Sequence, residues 1–209
     1  MRALLVFALT LAVFGLRHLP GVSDETADWI NLAAPFAVVA AAAGVLVPLG
    51  ARGVRLGVAI AGGILYVNGH GMHLAANAIR AEGLEGEAER VAYFWDEDLS
   101  HWELHAGLLL LVVAFCLAEA AAPAPVAWSP VTAAAAVAVL GATIFASVVE
   151  GGTWWFLGPA AVLVAAWAFV RPRPLLAACA AAFVLAALLL AGWAAWHGGV
   201  PEFSELEWI

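Results

Sequence analysis

Apolar runs, mostly 17 to 25 residues long and rich in Ala, Leu and Val, constrain this chain more than any motif does. At about 1.5 Å of rise per residue, such a run crosses the roughly 30 Å hydrocarbon core of a bilayer as an α-helix, with every backbone polar group satisfied internally. Strands of a membrane barrel would be about half as long and would alternate polar with apolar residues. Hydrophobic residues make up 65% of the 209, and mean hydropathy is +0.98, far from the balance of a soluble domain. The expected fold is all-α: a polytopic transmembrane helix bundle forming a single integral membrane domain over residues 1–209.

Breaks at Pro, Gly and charged residues divide the chain into about seven spans, near Ala3–Leu19, Trp29–Leu49, Val54–Ile79, His101–Ala121, Val131–Val149, Thr153–Val170 and Leu175–Trp196. The first run follows Arg2 like a secretory leader. It lacks a small-residue cleavage site and leads straight into Arg17 and His18, so it is read as a span. With the N-terminus inside and the C-terminus outside, Arg2, Arg52, Arg55, Arg171 and Arg173 fall inside and Arg17, Arg80 and Arg90 outside, a modest positive-inside bias. The expected location is the plasma membrane. Trp29, Trp95, Trp102, Trp154, Trp155, Trp193 and Trp196 then gather at the outer interface, with Trp128 and Trp167 as candidates for the inner belt.

The same topology puts all six histidines at outer span ends. His70, His73 and Asn77 share a helical stripe about 60° wide near the end of the third span, and Asp98, His101 and His105 share another at the start of the fourth. A short loop joins these spans, so they are expected to be antiparallel neighbours whose stripes can face each other. Imidazoles and carboxylates below the headgroups are expensive unless paired, coordinated or hydrated. Two or three imidazoles with a carboxylate match the donor set of zinc, and also of iron or copper. The candidate metal ligands are His101 and His105, then His73 and His70. His18 and His197 equally fit an ordinary interfacial role.

Asp98, one turn before His101, could orient its imidazole, ligate, or serve as a general base, or it could simply cap the fourth helix. Asp96 and Glu97 are expected to reach solvent. Glu150 ends the fifth span on the histidine side and could bring a catalytic carboxylate, or be hydrated beside the Gly151–Gly152 turn. Asn77 could bridge a ligand or cap its helix. Cys116 and Cys179, inside apolar spans, read as small core residues.

Absences narrow the function. There is no lysine, so a retinal Schiff base is excluded despite the seven spans. A net charge of −8 with scattered arginines offers no nucleic-acid groove, and no phosphate or dinucleotide loop appears.

Seven spans, Asp98 or Asp96, the His101-x-x-x-His105 pair and a further histidine at His73 or His70 resemble the membrane hydrolase superfamily of alkaline ceramidases and adiponectin receptors. That resemblance implies a zinc held by three histidines, with an aspartate and a serine nearby, hydrolysing a lipid amide. It covers a constellation and a span count rather than a collinear sequence. In that superfamily the paired histidines come from the last span, whereas here they open the fourth, and Tyr66 and Gly69 stand where a serine would precede His70 or His73. The expected function is a zinc-dependent membrane hydrolase acting on a lipid-like ester or amide that enters from the bilayer. The alternatives are a bis-histidine haem protein for electron transfer, a metal or ion carrier, and a structural membrane protein.

Overall fold

In the computed structural model, residues 1–13, 15, 22–83, 85–122, 127 and 129–206 are described. They form helices α1 (Arg2–Ala12), α2 (Asp24–Leu46), α3 (Val54–Arg80), α4 (Glu87–Tyr93), α5 (Ser100–Ala120), α6 (Pro130–Glu150), α7 (Leu157–Val170) and α8 (Pro174–His197), with no strand among the described residues. Four segments are long and apolar enough to cross a membrane: Thr26–Leu46, Glu87–Ala120, Pro130–Glu150 and Pro174–His197. They correspond to the second, fourth, fifth and seventh expected spans. The third is a 27-residue helix whose Arg55, Asn68, His70, His73, Asn77 and Arg80 dilute its apolar character. Arg2–Ala12 and Trp154–Val170 are apolar but shorter.

Local chemistry sets the helix ends. Ser23 accepts the backbone N–H of Thr26 at the start of α2, Ser129 does the same for Thr132 at α6, and Pro130 and Pro174 open α6 and α8 where a missing N–H is harmless. Gly198, at φ +70°, ends α8 in the left-handed region, and its N–H is donated back to Ala194. The helices then share one core. Phe7 of α1 meets Phe115 of α5 edge-on at 5.0 Å between ring centres, among fully buried Leu4, Leu111, Leu140 and Leu176.

α3 and α5 pack more closely than side chains would permit. A Cβ on Gly69 would stand 2.6 Å from the backbone N of Leu104 and O of Ser100. One on Gly107 would stand 2.5 Å from the N of Tyr66, and one on Gly62 would stand 2.9 Å from the O of Gly107. Backbone therefore meets backbone at three levels, the small-residue packing that membrane helices use for close approach.

Glu119 is fully buried and anchors α8. Its two oxygens accept the N–H groups of Leu175 and Leu176, each at 2.9 Å. A carboxylate at a helix N-terminus satisfies donors that have no partner within the helix. Glu119→Ala is expected to lower unfolding stability by about 2–3 kcal/mol, the loss of charge-assisted bonds in a buried setting. Glu119→Gln should lose less, as thermal unfolding in detergent will read. Cys116 and Cys179 lie in the same buried core as free thiols.

Candidate functional site

The close contact of α3 and α5 brings their histidines to one cavity of about 550 Å³. His70 and His73 line it from α3, His101 and His105 from α5, and Ser147 and Glu150 from α6, while Tyr66, Leu104, Leu108 and Phe203 supply apolar wall. The four histidines singled out in the sequence therefore share one chamber, and Glu150 reaches it from a third helix. Asp98 is exposed and Asn77 is exposed, and neither lines the cavity. His197 packs on Trp193 at 4.2 Å, away from the cavity lining. His18, Arg17 and Trp128 lie outside the described residues.

Asp96, expected in solvent, is instead fully buried. The cause is a π-helical turn, Phe94–Leu99, between α4 and α5. Its wider turn shifts the register of everything before Ser100, so that Asp96, five residues before His101, faces α3 while Asp98 turns outward. One oxygen of Asp96 stands 2.8 Å from Nδ1 of His73, and the other accepts from Arg80 at 2.7 Å. Arg80 also donates to Glu97 at 2.7 Å. The pair is at ion-pair distance without the alignment of a hydrogen bond, so Asp96 stands beside Nδ1 as a charge partner to the imidazole. Arg80 follows His73 by seven residues on the same stripe, so its charge could have been read as the partner of a buried aspartate.

The ring of His101 lies 5.0 Å from that of His73, centre to centre, and its Nδ1 is 3.8 Å from Glu97. His70 sits edge-on to Tyr66 at 4.8 Å. His105 is 3% exposed, with Nε2 hydrogen-bonded to the Ser147 hydroxyl at 2.7 Å and Nδ1 to the Thr153 hydroxyl at 2.9 Å. Both of its nitrogens are thus engaged by hydroxyl groups that sequence reasoning did not connect to it. Gly151 makes room for both α5 imidazoles, since a Cβ there would stand 3.0 Å from Cε1 of His105 and 3.2 Å from Cγ of His101.

Glu150 lines the cavity, and one of its oxygens accepts the backbone N–H groups of Phe203 at 2.9 Å and Ser204 at 3.3 Å. It thereby seats the C-terminal segment, with the Phe203 ring 5.0 Å from that of Trp193 and the Trp193 indole donating to the carbonyl of Pro201 at 3.0 Å. Beside it, partial burial and then the negative charges of Glu150, Glu205 and Glu97 push the Glu202 carboxyl up to about 7. A raised pKa means that the seated tail holds its proton after the free tail has lost it, so seating is strongest below the ordinary carboxylate range and weakens as pH rises to about 7. Protease cleavage of the tail is expected to be faster at pH 8 than at pH 5, and Glu202→Gln should remove the difference.

Among the described residues, no group of three or more His, Cys, Asp or Glu side chains is gathered tightly enough to hold a metal ion. No protein-family model, curated protein or solved structure matches the chain.

Proposed function

We propose that the chain is a seven-span membrane hydrolase, N-terminus inside and C-terminus outside, whose extracytoplasmic cavity takes the ester or amide of a lipid-like substrate and holds zinc. The observation that carries this reading is the His73–His101 pair. Two imidazoles on one tetrahedral zinc, at about 2.0–2.1 Å per bond, have ring centres roughly 5 Å apart, and these rings are separated by 5.0 Å. The Asp96 carboxylate, 2.8 Å from Nδ1 of His73, stands where a small turn of the ring would give the outer hydrogen bond that zinc-binding imidazoles ordinarily have. His70 lines the same cavity, and a third donor would have to come from a rearrangement of the chamber, since among the described residues three are not gathered as it stands. A bound zinc would polarise the substrate carbonyl and activate a water.

The apolar walls from Tyr66, Leu104 and Leu108 suit an acyl chain, and the likeness of the constellation to alkaline ceramidases and adiponectin receptors carries the same expectation. Haem suits the cavity less well. Glu150 lines the cavity with Glu97 and Glu202 close enough to add their negative charge, while Arg80 is already engaged by Asp96 and Glu97. That carboxylate field favours a dication over an anionic cofactor.

Full-length protein purified in mild detergent is expected to retain stoichiometric zinc without visible absorption, and to cleave a long-chain ester or amide in a chelator-sensitive way. His73→Ala and His101→Ala should each remove the zinc while the helical circular dichroism is unchanged. Wild-type protein that is folded, metal-free and equally active with or without chelator would overturn the zinc reading.

A further inference from the structure

We propose that Ser147 is an acyl-accepting nucleophile, with His105 as its general base and Thr153 as the residue that positions the imidazole. A serine hydroxyl is a weak nucleophile until a base within hydrogen-bond reach takes its proton, and that base must be fixed through its other nitrogen. Nε2 of His105 is 2.7 Å from Oγ of Ser147, and Nδ1 is 2.9 Å from Oγ1 of Thr153. The working tautomer has Nδ1–H donating to Thr153 and the Ser147 hydroxyl donating to Nε2.

The local chain is shaped to hold that ring. Ser147 lies in the last turn of α6, and Gly151 and Gly152, the latter at φ +59°, reverse the backbone so that Thr153 returns to the opposite edge of the same imidazole. A Cβ at position 151 would crowd Cε1 of His105 at 3.0 Å, so glycine leaves the ring its place there. A histidine serving only to tie two helices together needs partners too, but its partner need not open on a chamber. Ser147 lines the cavity next to the apolar wall of Leu104 and Leu108, so its oxygen is within reach of a bound acyl group.

The chemistry balances with water as the only co-reactant. Oγ of Ser147 bonds to the carbonyl carbon while its proton passes to Nε2 of His105. The bond from that carbon to the leaving alcohol then breaks, and the alcohol takes the proton from Nε2. Water next attacks the acyl-serine carbon and gives a proton to Nε2. The carbon–Oγ bond breaks, Ser147 regains its proton, and the carboxylic acid departs. This inference rests on the reading of the cavity as an acyl-substrate site, and not on the zinc, which would speed turnover by polarising the carbonyl but is not needed for His105 to activate the Ser147 hydroxyl.

The test uses the full chain in detergent after treatment with a chelator, exposed to an alkyl fluorophosphonate, which bonds its phosphorus to an activated serine and expels fluoride. One adduct is expected, at Ser147 by peptide mass, and absent in Ser147→Ala. His105→Gln should slow its formation about 10²-fold or more. Thr153→Val should change the pH profile of labelling and Thr153→Ser should restore it, a comparison that also serves if His105→Gln does not fold. A folded, chelated protein that leaves Ser147 unlabelled would overturn the proposal, as would labelling indifferent to both the His105 and the Thr153 changes. Intact labelling with no zinc-dependent turnover would remove the zinc reading alone. Zinc-dependent turnover with no adduct would remove the Ser147 assignment alone.

Discussion

Replacing Gly69 with leucine is expected to force α3 from α5 and to destabilise the bundle by about 3 kcal/mol or more, the upper end of overpacking effects. The atoms in the way are backbone N of Leu104 and O of Ser100, each 2.6 Å from the position a Cβ would take, and backbone cannot rotate aside as a side chain can. The displacement also opens the site, because His70 and His73 ride on one helix and His101 and His105 on the other. Gly107→Leu, which meets the N of Tyr66 at 2.5 Å, should behave alike. Gly57→Leu is the control, since nothing lies within 4 Å of its Cβ position. Thermal unfolding in detergent reads all three. Equal stability of the Gly69 and Gly57 variants would contradict the packing account.

The second large effect is expected from Asp96. Asp96→Ala removes the group that joins His73 to Arg80 and leaves part of the arginine charge without its buried partner, a change that costs about 3 kcal/mol. The figure belongs at the low end for a broken buried pair because Arg80 keeps Glu97 and its side chain is 26% exposed. On the proposed zinc reading, the lost support behind His73 also weakens metal retention by about 10–100-fold. Asp96→Asn, which keeps an acceptor for Arg80 but not the charge, should lose less stability than Asp96→Ala while losing as much metal affinity, so the two variants separate the structural role from the supporting one. Asp98→Ala, at an exposed position, should alter neither.

The helical class was legible from the apolar runs, because run length and composition alone decide what a bilayer accepts. The meeting of His70, His73, His101 and His105 was legible too, since helical stripes on two sequential antiparallel helices face each other when a short loop joins them. The choice of carboxylate was not. Reading Asp98 with His101 assumes 3.6 residues per turn, and the π-turn at Phe94–Leu99 breaks that assumption and brings Asp96 into the position instead. No residue type between Phe94 and Leu99 announces such a turn.

The partners of His105 were hidden for a different reason. Ser147 and Thr153 are 42 and 48 residues away in sequence, and their convergence depends on how α6 docks and on the reversal at Gly151 and Gly152. Glu150 was read as a possible carboxylate of the site, and its cavity position agrees with the face of α6 on which it lies. Its hydrogen bonds to Phe203 and Ser204 required knowing where the tail returns.

On the proposed reading His73 and His101 share a metal across the α3–α5 contact, and cobalt(II) reports on that sharing. Full-length protein stripped of metal and titrated with cobalt should develop the intense visible ligand-field absorption of a tetrahedral site. The band should saturate at one equivalent and disappear in His73→Ala and in His101→Ala. A folded protein that gives only the weak spectrum of octahedral, water-coordinated cobalt, or a tetrahedral band that survives both substitutions, would contradict the account.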